Sequence, residues 1–292
     1  LVCTNTFGAN LLKFSREELQ QIIPAAVQNA RAARDASTSP HPKFIALDIG
    51  PSGKLVGPLG GYSFEDALSL FAETVKIGVS CGVDLIIIET MNDGYKTTAA
   101  LLAAKENSTL PVFVSNAYGA GGRLMTGATP TVMATMAKGL GATAIGANCS
   151  FGPKQLRPVI EELLSAATLP VLFKPNAGLP KSVNGTTVYD VTEEKFTQEV
   201  CSAVAEGVRV VGGCCGTSPE YIKELCTIVN NRKYNKPQVN IEAAVCSSTE
   251  TVVINSPRII GERINPTGKK KFKEALLADD LDYILNQAVE QV

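Results

Sequence analysis

Two adjacent cysteines, set between glycines in VGGCCGTSPEYI (residues 211–222), offer the clearest chemistry in this sequence. They follow an apolar run and precede a helical pattern. Neighbouring residues of a regular strand point to opposite faces, so Cys214 and Cys215 can aim at one atom only where the strand has ended and the backbone turns. Gly212, Gly213 and Gly216 permit such a turn. Thr217 or Ser218 is suited to cap the helix and Pro219 to its first turn, which places both thiols beside a helix N-terminus, where thiolate is favoured over thiol. A third cysteine has a matching setting in ATAIGANCSFGP, where Cys149 again ends an apolar run before Gly-Pro. Three soft ligands at strand ends suggest Zn²⁺ with one position left open.

Composition narrows the alternatives. The 292 residues carry a net charge of -1, and no basic run extends beyond Lys269 to Lys271, which argues against nucleic acid or an anionic membrane as partner. No apolar stretch is long enough to span a bilayer. Eight cysteines are too sparse and irregular for a disulfide framework, so reduced thiols in a cytoplasmic setting are expected. The sole histidine, His41, lies between prolines in SPHPK, a solvated loop remote from the cysteines. Serine-histidine catalysis and imidazole bases therefore lack their central residue. The chain opens on LVCTNTF without Met, and an upstream segment is expected.

The elements that must position the cysteines repeat as strand then helix. Strands are expected over residues 1–7, 43–50, 84–90, 111–117, 142–149, 170–177 and 208–214. Helices are expected over 15–34, 63–81, 95–107, 129–140, 155–167, 192–207 and 218–231, with Ser15 and Ser63 as caps. The strands are near-continuous apolar runs, as in parallel sheets covered on both faces. A (β/α)₈ barrel lacking one strand-helix unit is the expected fold. Its polar strand ends, Asn5, Asp48, Glu89, Asn116, Asn148, Cys149, Asn176 and Cys214, fall where such barrels build their sites. An open doubly wound sheet is the alternative, but GAGG (119–122) and GPSGKL (50–55) both fail the phosphate-loop patterns. Residues 232–257 read as a connection. A new strand and helices then begin at 258–292, too short to bury a core of their own.

GANCSFGP, KPNAGLP and VGGCCGTSP, in that order at the ends of the last three strands, resemble the homocysteine S-methyltransferase domain. TNTFGAN (4–10), LIIIETMND (85–93) and GRLMTG (122–127) extend the resemblance over most of residues 1–231. GERINPTGKKKF (261–272) looks like the opening of a pterin-binding barrel, the start of a second α/β barrel, with Asn265 as the implied folate contact. A homocysteine domain followed by such a segment is the arrangement of the cobalamin-dependent methionine synthases. Members of the family begin with one further strand-helix unit ending in an Asp-Gly turn, and Cys3 stands where a glutamate is expected before TNTF.

The resemblance implies a zinc-dependent homocysteine S-methyltransferase. Zinc held by Cys149, Cys214 and Cys215 would bind homocysteine as thiolate. That thiolate would take a methyl group from methylcobalamin on a cobalamin-binding module, recharged from methyltetrahydrofolate, to give methionine. A thiol with an ordinary pKa of about 8.5 is mostly protonated at neutral pH, and coordination removes the need for a histidine base. Asn176 is expected to hold the open metal position until substrate arrives. Glu89 is the expected partner of the substrate ammonium, with Asn5, Ser115 and Asn148 as further pocket residues. Cys81, Cys201, Cys226 and Cys246 read as packing or inert residues. The alternatives are a betaine- or S-methylmethionine-type homocysteine methyltransferase, or a non-catalytic thiolate-zinc protein.

Overall fold

Seven parallel strands, each followed by a helix, form the body of the protein. The structure, a computed structural model, describes residues 1–183, 185–229 and 243–291. Strands β1 (Val2–Cys3), β2 (Ile45–Ile49), β3 (Leu85–Met91), β4 (Val112–Asn116), β5 (Ala144–Asn148) and β6 (Val171–Lys174) alternate with helices α1 (Arg16–Ala36), α2 (Phe64–Ser80), α3 (Gly94–Asn107), α4 (Pro130–Gly139) and α5 (Pro153–Ala166). After β6 come the hairpin β7 (Lys181–Val183) and β8 (Thr186–Val188), then α6 (Glu193–Glu206), β9 (Val210–Val211) and α7 (Pro219–Val229). The hairpin strands β10 (Ala244–Cys246) and β11 (Thr251–Val253) precede α8 (Lys270–Leu277) and α9 (Leu281–Val289).

The sheet runs β1-β2-β3-β4-β5-β6-β9, every neighbour parallel, and curls with β1 and β9 as its two edges. Ser15 caps α1 with a reciprocal box to Glu18, and Ser63, Thr129 and Thr192 accept from the backbone at the starts of α2, α4 and α6. Among the described residues no helix is long and apolar enough to cross a membrane.

Alternation along the strands separates two faces. Ile45, Leu47, Ile86, Ile88, Val112, Val114, Ile145, Val171 and Phe173 join the core under the helices. Ala46, Leu85, Ile87 and Leu172 form a second cluster on the opposite, concave face, edged by Phe113 and Val210. A period of two then places Asp48, Glu89, Ser115, Asn148 and Lys174 one step further along that concave face. They make a polar layer over an apolar one, at the C-terminal ends of the strands.

Three expectations need correction. The first strand does not run to residue 7. Thr4 and Thr6 instead bond sideways to β2, Thr4 Oγ1 accepting from Asp48 N at 3.1 Å and Thr6 Oγ1 donating to the Asp48 carbonyl at 2.7 Å, so hydroxyls replace the ladder after two residues. The last strand likewise shortens to Val210–Val211: Gly212 N makes the final bond to β6, at the Phe173 carbonyl, and Cys214 N already bonds to the Pro175 carbonyl in the loop beyond it. No strand forms over residues 258–264, where Ile259 and Ile260 are fully exposed and the described residues supply no strand to pair with them.

The chain divides into two compact units, Leu1–Val252 and Val253–Val292. In the second, Phe272 and Tyr283 meet edge to face, and Phe272 and Ala275 are its buried residues. Part of the expected connection over 232–257 lies outside the described residues. Its described part carries the β10–β11 hairpin, which periodicity missed.

Candidate metal centre and the polar layer beneath it

Cys149 lies immediately after β5 in a left-handed conformation, φ +61°, followed by Ser150 at the same angle. Such backbone costs energy for residues with a Cβ and concentrates at functional sites. It turns the Cys149 thiol back across the strand ends. Cys214 and Cys215 follow β9, and Gly216 completes their turn with φ +79°; a Cβ there would strike the Tyr189 ring. Gly213 leaves room for Thr217, which bonds back to the Cys214 carbonyl through Oγ1 at 2.7 Å rather than capping α7.

The loop after β6 holds both thiol loops in place. Cys149 N donates to the Lys174 carbonyl at 3.1 Å, and Asn176 N to the Phe151 carbonyl at 3.0 Å. On its other side Cys214 N donates to the Pro175 carbonyl and Ala177 N to the Cys215 carbonyl, each at 2.9 Å. Asn176 Oδ1 accepts from Cys215 N at 3.0 Å. The KPNA segment is thus a main-chain spacer between the first cysteine and the pair.

The result is a three-sulfur cluster. Cys149 Sγ is 3.8 Å from Cys215 Sγ, Cys214 Sγ is 4.0 Å from Cys215 Sγ, and all three lie within 4.8 Å of one another. Thiolates about 2.3 Å from zinc in a tetrahedral site stand roughly 3.8 Å apart, so the spacing fits the metal. The Cys214 thiol donates to Cys149, and this bond, with help from the Ser150 backbone, brings the Cys149 pKa down to about 5. Cys214 is pushed up because its proton serves that bond, and Cys215 is pushed up chiefly by burial.

Asn148 anchors the cluster from below. Its Oδ1 accepts from Ser115 Oγ at 2.7 Å and Thr90 N at 2.9 Å, while Nδ2 donates to Thr90 Oγ1 at 2.7 Å and lies 3.8 Å from Cys214 Sγ. A carboxamide has two acceptor and two donor places; all four are used. Thr90, itself left-handed at φ +60°, is held in that conformation by the same amide.

The remaining expected residues are dispersed. Glu89 is buried in the polar layer and forms an ion pair with Lys174, which the sequence reading did not single out. Ser115 is buried on Asn148. Asn5 is exposed, on the loop after β1. Asn265 lies in the second unit, its Oδ1 accepting from Thr267 N at 2.9 Å, and that unit is separate from the thiols' own. His41 is an exposed loop residue, as expected. Cys201 is buried, Cys81 and Cys246 are partly buried, and Cys226 is exposed.

Two features had no signal in the periodicity. Tyr189, delivered by the β7–β8 hairpin, covers Gly216 and interacts with Cys215. A cavity of about 510 Å³ opens beside Cys149, lined by Asn92, Tyr118, Arg123, Met125, Ser150 and Phe151 among others. A larger one of about 770 Å³ lies between α3, α4 and residues 244–248, and none of the three cysteines lines it.

A family model described as homocysteine S-methyltransferase matches residues 1–229, a stretch that contains the whole thiol cluster. The chain belongs to the homocysteine S-methyltransferase family. It is therefore a methyltransferase. The methionine synthase of Mycobacterium tuberculosis is 31% identical over 302 residues, covering 99% of this chain and 25% of that protein. The methionine synthase of Mycobacterium leprae is 30% identical over 310 residues, covering 100% and 26%. This homocysteine S-methyltransferase chain thus spans about a quarter of the length of the curated relatives it matches. Among solved structures, the homocysteine methyltransferase MmuM from Escherichia coli, in its oxidised form, aligns with a TM-score of 0.66 at 19% identity over 77% of this chain and 78% of its own. Its apo form aligns at 0.63 and 20% over the same shares. These likenesses establish the shared fold.

Proposed function

We propose that this chain is the homocysteine-activating part of a methionine synthase, with Zn²⁺ held by Cys149, Cys214 and Cys215. The observation that carries the reading is the spacing of three thiols from two loops, fixed by main-chain bonds to a third loop between them. Bound zinc would lower the pKa of the homocysteine thiol, so that the sulfur attacks the methyl donor as thiolate. The chain's own residues arrange this. Asn176 Oδ1 accepts from Cys215 N–H through one of its two lone pairs, which orients the pair and leaves the other lone pair for the open metal position until substrate arrives. Asn148 fixes Cys214 and, being saturated, does not contact substrate. Glu89 and Lys174 lie under the thiols as the charged floor of the substrate site.

The methyl donor follows from the relatives' names, methionine synthase, and from the resemblance of residues 261–272 to a pterin-binding opening. Methylcobalamin is the proposed immediate donor and methyltetrahydrofolate its source, each bound outside the thiol unit. The eighth strand-helix unit of a closed barrel would lie between the edges β1 and β9.

The test is metal and activity together. Cys149→Ser, Cys214→Ser and Cys215→Ser should each lose stoichiometric zinc and homocysteine methylation in parallel, because a three-ligand site has no spare ligand. A variant that kept both would remove its cysteine from the ligand set. Zinc retained by the parent chain without any methylation of homocysteine would favour the non-catalytic reading, and efficient use of betaine would favour the betaine-type one.

A further inference from the structure

The hairpin β7–β8 has no interior of its own. All its strand residues are exposed, Val183 and Val188 among them, and two strands alone are marginal in water. Its foot is nevertheless clamped. A Cβ on Gly178 would come within 2.1 Å of Asp190 Oδ1, and Lys181 pairs with Asp190 at 2.8 Å. Val191 N donates to the Ala177 carbonyl at 3.0 Å, and Tyr221 Oη donates to the Val191 carbonyl at 2.7 Å. These contacts tie the hairpin to the loop after β6, which spaces the thiols. What they hold in place is Tyr189, whose ring lies so close on Gly216 that a Cβ there would meet its Cγ at 2.3 Å.

Gly216 directly follows Cys215, and Cys215 is the exposed member of the three thiols, Cys149 and Cys214 being partly buried. The Tyr189 hydroxyl interacts with the Cys215 sulfur. Burial first, and then the charges of Cys215 and Cys149, hold its pKa above the ordinary tyrosine value, so at neutral pH it is a proton donor beside these sulfurs. The chemistry proposed for the site gives this contact a use. A methyl donor that meets a metal-bound homocysteine thiolate also meets three cysteine thiolates on the same metal. Transfer to a cysteine would form an S–CH₃ bond, turn that thiolate into a thioether and spoil the site. A sulfur lone pair engaged by an O–H donor is a weaker nucleophile, and a ring on its open side blocks in-line approach.

We propose that Tyr189 is a positioning residue that protects Cys215 from alkylation, its hydroxyl donating to the metal-bound sulfur and its ring covering it, so that the methyl group goes to the substrate sulfur. The assignment rests on the reading of the three thiols as the zinc site of a homocysteine methyltransferase. Cys214, deeper in the site, has the Asn148 amide as its donor at 3.8 Å.

The test is alkylation of the zinc-loaded chain by methyl iodide, in which a thiolate displaces iodide and becomes a methyl thioether. Initial rates at each cysteine are read by peptide mass spectrometry, with the exposed Cys226 as internal reference. Tyr189→Phe, which keeps the ring and removes the donor, should speed methylation of Cys215 by about threefold or more, the scale of one net hydrogen bond. Tyr189→Ala, which removes both, should speed it by about tenfold or more. Rates at Cys149 and Cys214, and zinc content before alkylation, should change less than about twofold, as for uncoupled positions. A rise with Tyr189→Ala alone overturns the part given to the hydroxyl. An unchanged rate at Cys215 in both variants, or an equal rise at all three cysteines, overturns the protecting role and leaves the zinc site standing. A parent chain that binds no zinc overturns the reading of the site itself and this assignment with it.

Discussion

A thiolate that must stay fixed needs a donor that is itself immobile, and Asn148 meets that condition through bonds to Ser115 and Thr90 as well as Cys214. Asn148→Ala should therefore lower zinc affinity by about 10- to 100-fold, the usual effect of removing a group that orients metal ligands, as read by chelator competition. Release of Thr90 from its left-handed conformation should accompany it. A second residue-scale expectation concerns pH. Burial first, and then the charge of Glu89, push the folded Asp48 carboxyl up to about 8, against an unfolded value of about 3.9. Between those values the folded state holds a proton that the unfolded state has released, so this group's contribution is complete below about pH 4 and is lost as pH rises through 8. Asp48→Asn should gain on the parent chain between pH 5 and 8.5 by at least about 1.4 kcal/mol, one pKa unit's worth, in denaturant unfolding at the two pH values. The three cysteines were legible in the sequence because thiols after strand ends have a narrow range of uses. Asp48 was legible only as a polar strand end, and Lys174 not at all, since ion pairing across non-adjacent strands depends on which strand ends the sheet brings together.

The elements explain why these groups meet. β5 lies between β4 and β6, and Gly146 has no space for a side chain, since a Cβ there would come within 2.1 Å of the Leu172 carbonyl oxygen on β6. Gly146→Ala should force β5 and β6 apart two residues before Asn148. We expect it to destabilise the chain by about 1–3 kcal/mol, as overpacking does, and to weaken zinc binding more than a surface substitution of equal cost. Chemical denaturation with parallel metal analysis separates the two effects. The strand-helix alternation was readable because both periods are strong and the caps Ser15 and Ser63 are good acceptors; the caps Thr129 and Thr192 emerge only from the structure. The hairpin β7–β8 was not. Its residues are exposed, so no alternation marks them, yet it carries Tyr189 onto Gly216. The left-handed turn at Cys149 also left no signal, because a strained residue is chosen by its surroundings and not by its own preference.

At the scale of the whole molecule, the two units differ in what they can do alone. The first, Leu1–Val252, contains the sheet, the three thiols and the charged layer. The second, Val253–Val292, buries little beyond Phe272 and Ala275 and leaves Ile259, Ile260, Leu277, Leu281, Leu285 and Val289 largely exposed. So small an apolar interior cannot enclose a pterin, which needs a pocket that buries most of its surface. The acceptor half of the reaction should accordingly work in this chain and the folate half should not. Zinc-loaded chain supplied with homocysteine and free methylcobalamin should form methionine slowly, since a freely diffusing donor lacks the high effective concentration of a tethered one. The same chain supplied with methyltetrahydrofolate should form none above background. Methionine production is followed by chromatography in both cases, and the proposal requires that the first signal disappear with Cys214→Ser. Turnover of methyltetrahydrofolate by the 292-residue chain, without another protein present, would mean that residues 253–292 carry more of the folate site than their exposed apolar side chains allow.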